Sequence, residues 1–399
     1  MISPTEGASC STNTDRGRAI AARVREFVLR QVVPYERDQR WGAHGPSEEM
    51  VVDLRDLARA AALLTPQILA DGSHLTYREM ALVLRAAGLS PLGPIALNVA
   101  APDEGNMYLI GKIGTVDQKR RFLQPLVEAR MRSAFFMAEP ASSGGAGSDP
   151  SMMRTVAKQD GEHWVLDGRK AFITGALGAG VGIIMAKTGV SATMFLVDLP
   201  NPAVHIERVL DTIDGSMPGG HALVRLEGLR VPSHQILGKL DEGFKYAQVR
   251  LAPARITHCM RWLGAAIRCN DIACDYAVRR EAFGKKIIEH EGVGFMLADN
   301  AIDLKQSELI IDWCAEVIDA GAPGITESSM TKVAVSEALF RVTDRCIQVM
   351  GGTGVTRDTI VEQVFREIRA FRIYDGPSEV HRWSIANNIK KETLNKVAS

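Results

Sequence analysis

The composition and apolar spacing of the sequence change twice along the chain, and this pattern limits the possible folds more than any other feature. From Arg16 to about Ser133 the sequence is rich in Ala, Leu, Arg and Glu, which favours helix by propensity and apolar spacing. From about Phe135 to Gly238, short apolar runs alternate with Gly, Asp and Pro, as is typical of an antiparallel sheet or small barrel. After Gly243 the helical pattern returns. The order predicts a helical, a β and a second helical region.

Local periodicity supports this division. The runs HWVLDGRKAFIT, GIIMAKT, ATMFLVDL and HALVRLEGLRVP predict strands, and in the last one Val224 and Leu226 alternate with Arg225 and Glu227. That strand should therefore have one buried face and one wetter face. In the third region, apolar residues three or four positions apart predict a helix that faces a core, and these residues are Val335, Ala338, Val342, Cys346 and Val349.

Composition narrows the class of protein. A chain of 399 residues with 46% apolar residues can bury a large core and form two or three compact units. Because 47 basic residues balance 47 acidic ones, bulk charge gives no reason to expect a nucleic-acid or membrane surface. Six scattered cysteines without CxxC spacing, and the lack of an apolar run near the ~20 residues that span a bilayer, indicate a reduced, cytoplasmic compartment. Residues 1–15 lack the features of a secretory signal and are expected to be disordered.

A Gly/Ser-rich stretch, MAEPASSGGAGSDPS, occupies residues 137–151, where helices give way to strands. Its glycines would let backbone N–H groups converge on an anion, and Ser142, Ser143 and Ser148 could add hydroxyl donors to a pyrophosphate. The stretch matches neither the Rossmann nor the Walker pattern. Taken alone, it is more typical of a flexible surface linker.

A cluster of basic residues occurs in RREAFGKKIIEH, residues 279–290, around Phe283. Arginine forks bind phosphates and an aromatic face stacks on a ring, so the cluster suits a nucleotide-like ligand. By itself it is more typical of a solvated helix end. His290 and Glu291 begin an HExxH pattern, but Gly294 replaces its second histidine, so no metal site is predicted.

The stretch RIYDGPSEVHRW, residues 372–383, places Asp375 directly before a Gly-Pro turn. A Gly-Gly-x-Gly loop precedes it in QVMGGTGVTRD, residues 348–358, and would allow close approach of a ligand or backbone. Asp375 is either a catalytic base or a turn-forming or helix-capping residue, and the local pattern alone favours the second role.

The order and spacing of these motifs resemble the acyl-CoA dehydrogenase family along almost the whole chain. AEPASSGGAGSD, LDGRKAFITGA, RREAFGKKIIEHEGVGFMLAD, QVMGGTGVTRDTIVEQVFREIR and IYDGPSEVHR each resemble a family motif in the same order. The stretches RITHCMRWLG and DGPSEVHR are closer to the dehydrogenase part of long multidomain members that also carry a kinase-like domain.

The resemblance implies an α+β multidomain fold that binds FAD. Residues 1–15 would be a disordered terminus, 16–134 an N-terminal helical domain, 135–240 a middle β domain and 241–399 a C-terminal four-helix bundle. It further implies a homodimer or homotetramer, with FAD between domains and across a dimer interface. The implied reaction is dehydrogenation of acyl-CoA in fatty acid β-oxidation, with electron-transfer flavoprotein as acceptor and no nucleic-acid or membrane partner.

Position by position, the resemblance assigns ligand contacts. The flavin ring would meet backbone at Phe135 to Ala138 and at Phe172 to Thr174, with Thr174 near the N5 edge. Ser148 would bond the pyrophosphate and also contact substrate. The implied cofactor positions are Phe135, Met137, Ala138, Ser148, Phe172, Thr174, Pro377 and Glu379. The adenosine half of FAD, bound mainly by a neighbouring subunit, would be contacted by Arg280, Phe283, Gln348 and Gly352. The implied substrate positions are Ser148, Arg255, Tyr374 and Gly376.

Asp375 matches the position of the family's usual catalytic glutamate. Some members place the base immediately before the residue that matches Arg255, but Ala254 stands there and cannot take a proton. Asp375 is therefore the expected base for the α-proton. Since aspartate is shorter than glutamate by ~1.5 Å, its backbone must lie closer to the substrate, or the substrate must be bulkier or differently seated.

Four departures from the family pattern bear on the site. The segment between Glu139 and Asp149 is about four residues longer than the signature, so Ser142 or Ser143 could replace Ser148 as the pyrophosphate donor. Ala138 removes a hydroxyl that commonly faces the flavin. Pro377 lacks an N–H donor, and Glu379 can only accept hydrogen bonds when ionised.

Two further functions remain open at this stage. One is a flavin oxidase that returns electrons to oxygen, including nitroalkane oxidase relatives that use an aspartate base, which Asp375 and Ala138 keep open. The other is a flavin-bearing, DNA-associated binding protein of low activity. Zero net charge and the lack of a basic extension argue against the latter.

Overall fold

The structure, a computed structural model, describes residues 9–69, 71–145 and 147–398. Within these residues the α-helices are α1 (Ser9–Phe27), α2 (Glu48–Ala60), α3 (Tyr77–Ala87), α4 (Gly93–Ala96), α5 (Asp103–Ile113), α6 (Val116–Gln118), α7 (Gln124–Val127), α8 (Gly243–Arg279), α9 (Glu291–Asp319), α10 (Ile325–Met350), α11 (Val361–Phe371) and α12 (Ser378–Ala398). The strands are β1 (Trp41–Gly42), β2 (Gly45–Pro46), β3 (Ser133–Phe136), β4 (Val156–Asp160), β5 (His163–Thr174), β6 (Val181–Lys187), β7 (Ala192–Asp198), β8 (Val204–Leu210), β9 (His221–Pro232), β10 (Ile236–Leu237), β11 (Glu281–Ala282) and β12 (Lys285–Lys286).

The chain divides into two compact units that do not follow the order of the sequence. The helical unit contains the segment that ends at Glu36, the segment Pro66–Pro94 and the chain from Arg255 onwards. The sheet unit contains Arg37–Thr65 and Ile95–Ala254. The division falls within α8, between Ala254 and Arg255 and close to Pro253.

The sheet unit is built on the strands that the sequence predicts. Its main sheet has the order β10-β7-β6-β4-β5-β9-β8, and β5 and β9 coincide with two of the predicted runs. Val224 and Leu226 are buried as expected, whereas Glu227 is exposed. The sheet is not wholly antiparallel, because β3 and the start of β4 pair with β6 in parallel. Parallel pairing requires long connections, and local strand patterns do not reveal it.

Apolar residues cover both faces of this sheet. Alternate residues of β6 pack into two different cores, with Ile183 and Met185 on one face and Ile184 and Ala186 on the other. The first core also includes Leu109 of α5 and other helical residues. A strand that is buried on both faces has a continuous apolar sequence, and this explains the apolar segment VGIIMA of β6.

In the helical unit, α10 packs against α9, α11 and α12. The five residues of the predicted stripe, Val335 to Val349, are all buried on α10. In the same unit α1 packs against α3, and Arg16 Nε lies 2.8 Å from Glu79 Oε1.

The predicted disordered terminus covers residues 1–15. Residues 1–8 lie outside the described residues. Residues 9–15 belong to α1, so the expected disorder does not extend to them, and the pairing of Arg16 with Glu79 ties this helix to α3. Within the described part of the chain, no helix is long and apolar enough to cross a membrane.

Candidate active site

Asp375 lies in the turn between α11 and α12, and its backbone has a left-handed φ of +52°. Gly376 follows with a φ of +99°, and a Cβ there would approach His381 Nε2 to 2.6 Å. Aspartate is among the few residues other than glycine that adopt this conformation readily. Backbone strain that the surroundings maintain is frequent at functional sites. The turn therefore presents one carboxylate in a fixed direction.

Three buried side chains fix the backbone of this turn. His381 Nε2 donates to the carbonyl oxygen of Asp375 at 3.1 Å, and Arg255 Nε approaches the same oxygen at 3.4 Å. Lys332 Nζ donates to the carbonyl oxygen of Gly376 at 2.6 Å. Residues from α8, α10 and α12 thus converge on two consecutive carbonyl groups.

His381 is held in its neutral form. Burial, together with the charges of Arg255 and Lys332, lowers the pKa of this imidazole to about 4. Because Nε2 donates to the carbonyl oxygen of Asp375, the proton of the neutral ring is on Nε2. Nδ1 lies 3.1 Å from Ser329 Oγ, whose hydroxyl also lies within donating distance, 2.9 Å, of the carbonyl oxygen of Ile325. The ring therefore positions the turn without adding a charge.

The carboxylate of Asp375 contacts His258. Oδ2 lies 3.2 Å from His258 Nε2, and the two side chains are 22% and 6% exposed. Burial lowers the pKa of Arg255, and it lowers that of Lys332 to about 8, while the charge of Asp375 opposes both shifts. These cations favour the charged carboxylate, which is the form that can accept a proton.

Two aromatic rings pack against His258 of this pair. The ring of His258 lies 5.0 Å from that of Tyr374 and 5.9 Å from that of Phe371. Trp262 Nε1 donates to the hydroxyl of Tyr374 at 2.6 Å. This packing keeps the His258 side of the pair buried, and charge interactions strengthen where water is excluded. We refer to Asp375, His258, Arg255, Lys332 and His381 as the Asp375 cluster.

In the sheet unit, β3 leads into the segment expected to meet the flavin ring. Ala171 N–H donates to the carbonyl oxygen of Ala138 at 3.0 Å, and Lys170 Nζ donates to that of Met137 at 3.2 Å. Lys170 also binds Glu139 Oε1 at 2.9 Å, and both side chains are almost fully buried. Phe135, on β3, packs beneath the guanidinium of Arg250 at 4.2 Å.

Glu139 anchors both ends of the Gly/Ser-rich loop. Its carboxylate accepts from the backbone N–H of Arg154 at 2.6 Å and of Thr155 at 3.0 Å. Burial opposes ionisation, but the charge of Lys170 and these donors outweigh it and hold the pKa of Glu139 below its usual range. Burial lowers the pKa of Lys170 to about 8. The pair therefore holds the loop against β5.

Hydroxyl and arginine donors surround the loop. Ser142, Ser143 and Ser148 are all exposed, and Ser143 Oγ donates to the carbonyl oxygen of Pro140 at 2.9 Å. A groove of about 340 Å³ adjoins the loop, and it is lined by Ser143, Arg154, Gly168, Arg169, Arg225, Leu226 and Glu227. Guanidinium groups suit an anionic group, but Arg169 already pairs with Glu207, and Arg225 with Glu227, so an anion would have to share these two arginines.

Two large aromatic residues are exposed on strained backbone. The register between β5 and β9 shifts between Lys170 and Ile173, and Phe172 at this bulge has a φ of +55° and is 64% exposed. Phe283, between β11 and β12, has a φ of +52° and is 97% exposed. Exposed aromatic groups that the backbone strains to present are typical of binding surfaces.

Thr174, at the end of β5, is the first member of a hydrogen-bonded chain. Its Oγ1 lies 2.9 Å from His221 Nδ1, and His221 Nε2 lies 3.0 Å from Asp214 Oδ2. His221 is the cross-strand partner of Thr174 at the start of β9. The side chains of His221 and Asp214 are 13% and 10% exposed.

The other predicted contact residues lie at separate positions. Arg280, Gln348 and Gly352 are exposed in the helical unit. Glu379, in the first turn of α12, is exposed and lies 3.8 Å from Arg382. Pro377 directly precedes α12. Within the helical unit, the structure brings together Arg255, Tyr374, Asp375 and Gly376, and within the sheet unit it brings together Met137, Ala138 and the start of the Phe172 bulge.

Sequence reasoning singled out Asp375 and Arg255 but missed the other three members of the cluster. His258 lies three residues after Arg255 in α8, and this helical spacing could have placed the two side chains on one face. Lys332 and His381 gave no such signal, because they reach the turn from α10 and α12.

Comparison with protein families gives matches to three consecutive segments of the chain. Sequence profiles of the N-terminal, middle and C-terminal domains of acyl-CoA dehydrogenases match residues 14–130, 134–218 and 241–390. The chain belongs to the acyl-CoA dehydrogenase family. The predicted membership and the helical, sheet, helical fold are therefore confirmed.

Curated relatives and solved structures agree with this assignment. Acyl-CoA dehydrogenase family member 11 of Gallus gallus is 35% identical over 95% of this chain and 52% of its own length. The chain thus spans about half of that acyl-CoA dehydrogenase relative. The probable acyl-CoA dehydrogenase FadE2 of Mycobacterium tuberculosis is 34% identical over 91% of this chain and 93% of its own length. A glutaryl-CoA dehydrogenase of Mycobacterium smegmatis, solved with FADH2, shares the fold, with a TM-score of 0.83, 24% identity, and coverage of 95% and 97% of the two chains.

Acyl-CoA dehydrogenases are FAD-dependent oxidoreductases that act on acyl-CoA. The half-length match to the Gallus gallus protein also confirms the resemblance to the dehydrogenase part of longer members.

Proposed function

We propose that the protein is an FAD-dependent acyl-CoA dehydrogenase that converts an acyl-CoA thioester to the trans-2-enoyl-CoA, with Asp375 as the base. The observation that carries the proposal is the carboxylate of Asp375, fixed on a left-handed turn and 3.2 Å from His258. Ala254 offers no alternative base at the second position used in the family.

The residues present fit FAD. The bulge at Phe172, the exposed Ser142 and Ser148, and the arginine-lined groove beside the loop supply an aromatic surface and donors for a pyrophosphate. We assign the flavin ring to Phe135, Met137, Ala138, Phe172 and Thr174, and the adenosine half to Arg280, Phe283, Gln348 and Gly352. Bound FAD supplies the acceptor for the β-hydride.

Ser142 and Ser148 are better candidates than Ser143 for the pyrophosphate. All three serines are exposed, but the hydroxyl of Ser143 already donates to the carbonyl oxygen of Pro140. Pro377 and Glu379 belong to the same proposal only as neighbours of the turn, since Pro377 has no N–H to donate and Glu379 faces Arg382.

The proposed dehydrogenation requires three functions from the side chains and backbone of the protein. Asp375 must accept the α-proton as the Cα–H bond breaks, and the cluster keeps its carboxylate charged and aimed. Backbone N–H groups at Asp375 and Gly376 would bind the thioester carbonyl and stabilise the enolate-like charge that develops there. Tyr374, with Trp262, Phe371 and His258, would exclude water from the base.

The proposal also covers the oligomeric state, the electron acceptor and the cellular compartment. Large apolar side chains are exposed along α12, with Trp383 at 69%, Ile389 at 57% and Leu394 at 58%, which supports assembly as a homodimer or homotetramer. We propose electron-transfer flavoprotein as the acceptor and a cytoplasmic role in fatty acid β-oxidation.

The test is anaerobic mixing of the flavin-loaded protein with saturated acyl-CoAs of differing length and branching, followed by flavin absorbance. Bleaching is expected, and the fastest substrate identifies the acyl class. The same mixing in air with a peroxide probe should give no rapid peroxide. Stoichiometric peroxide would make the protein an oxidase, and no bleaching by any thioester with FAD bound would overturn the proposal.

A further inference from the structure

Thr174, His221 and Asp214 form a chain of hydrogen bonds that no step of the proposed reaction uses. Thr174 and His221 face each other at the ends of β5 and β9, and Asp214 reaches His221 from the connection between β8 and β9. The two contacts, 2.9 Å and 3.0 Å, use both ring nitrogens of His221. All three residues of this hydrogen-bonded chain therefore belong to the sheet unit.

Asp214 sets the direction of these bonds. Burial opposes its ionisation, but the hydrogen bond that its carboxylate accepts from His221 helps to hold the pKa of Asp214 below its usual range. A carboxylate can only accept, so the proton of His221 must be on Nε2. In the neutral imidazole Nδ1 is then an acceptor, and the only proton available for the contact at 2.9 Å is that of the Thr174 hydroxyl.

Two other charged groups near this end of the sheet, Arg132 and His44, do not take the place of Asp214 as the partner of His221. Arg132 Nη1 is the nearest atom to a Cβ built at Gly175, at 3.3 Å, and Arg132 pairs with Glu48. His44 lies beside Gly220 and is 3.6 Å from Asp211. Both groups have their own carboxylates, which leaves Asp214 as the group that orients His221.

We infer that Asp214 and His221 fix the hydroxyl of Thr174 as a hydrogen-bond acceptor toward the N5 edge of the flavin, and so favour the reduced cofactor. The inference rests on the proposed function, which assigns Thr174 to that edge. Oxidised flavin presents N5 as an acceptor, whereas reduced flavin presents N5–H as a donor. Because Thr174 gives its proton to His221, only its lone pairs remain for N5, and these match the reduced state. His221 and Asp214 are thus positioning residues.

The test is a double-mutant cycle read by the reduction potential of the bound flavin, measured with a reference dye in the absence of acyl-CoA. At pH 8.5, where an imidazole is ordinarily neutral, His221→Leu should free the Thr174 hydroxyl to donate to oxidised N5. The equilibrium constant for reduction should fall by about tenfold, equivalent to about 30 mV for a two-electron couple. In the Thr174→Val background the same substitution should have no effect, because His221 acts only through the hydroxyl.

Two further variants keep the test decisive. Thr174→Ser retains the hydroxyl and should keep the wild-type potential. Asp214→Leu should lower the potential in the same direction as His221→Leu, because no acceptor then holds the proton of His221 on Nε2. Equal shifts from His221→Leu in both backgrounds, or no shift in either, would overturn the inference. If the cycle holds but no acyl-CoA reduces the flavin, the proposed function fails and the inference stands.

Discussion

His258 Nε2 lies 3.2 Å from Asp375 Oδ2, and the contact joins the middle of α8 to the turn before α12. The histidine is almost fully buried, whereas the carboxylate keeps a partly open side. A carboxylate held on one side by an imidazole and open on the other can receive a proton from a substrate without turning. The predictions below start from this pair.

Asp375→Asn should abolish reduction of the flavin by acyl-CoA. An amide cannot take the α-proton, and loss of a general base costs on the order of a hundred- to ten-thousandfold in rate. Stopped-flow absorbance under anaerobic conditions measures the rate, and flavin content shows whether the variant still binds FAD. Asp344→Asn, at an exposed position on α10, is the matched control and should react normally. Full activity of Asp375→Asn would assign the residue to the turn alone.

His258→Leu should slow flavin reduction while substrate affinity changes little. A hydrogen bond to a charged group contributes about 1.5–3 kcal/mol, so a loss of about tenfold or more is expected if the pair aims the base. His258→Gln keeps a donor and should recover part of the rate. His234→Leu, at an exposed position, is the control. Equal losses in the Gln and Leu variants would argue against a directed hydrogen bond.

Lys170→Met should destabilise the protein by about 3–5 kcal/mol, because it leaves the buried carboxylate of Glu139 without its cation. Adding Glu139→Gln should restore part of this loss, since no buried charge then remains. Urea unfolding measures both effects. Lys158→Met, on the exposed face of β4, should change the free energy of unfolding by no more than ~0.5 kcal/mol. A double variant as unstable as the single one would contradict the charge argument.

His381 should make the protein less stable in mild acid. Its pKa is about 4 in the folded state, against an ordinary value near 6.5, so only the unfolded chain takes up this proton between these values. The stability that the neutral ring allows is complete above about pH 6.5 and is lost as the pH falls toward 4. At pH 5 the loss should be about 1–2 kcal/mol. His381→Gln keeps an N–H donor without titrating, and unfolding at pH 7 and pH 5 should show a smaller difference for it than for wild type.

Much of the fold could be predicted because its signals are local. The run HWVLDGRKAFIT predicts β5 with the bounds His163 and Thr174 that the structure has, since alternating burial follows directly from the pleat of a strand. The stripe from Val335 to Val349 predicts the buried face of α10 for the same reason, with the period of a helix. The parallel pairing of β3 with β6 was missed, because partners in a sheet are chosen by the course of the whole chain.

At the candidate site the sequence singles out individual residues rather than their arrangement. The motif around Asp375 and the alanine at position 254 identify one carboxylate, and the order of five motifs identifies the family. The sequence therefore determines the elements, the family and the candidate base. Only the tertiary structure brings Arg255 to Asp375, 120 positions apart, and Thr174 to His221, 47 positions apart. Hydrogen bonds and charges act over a few ångströms of space, and spacing along the chain does not measure that distance.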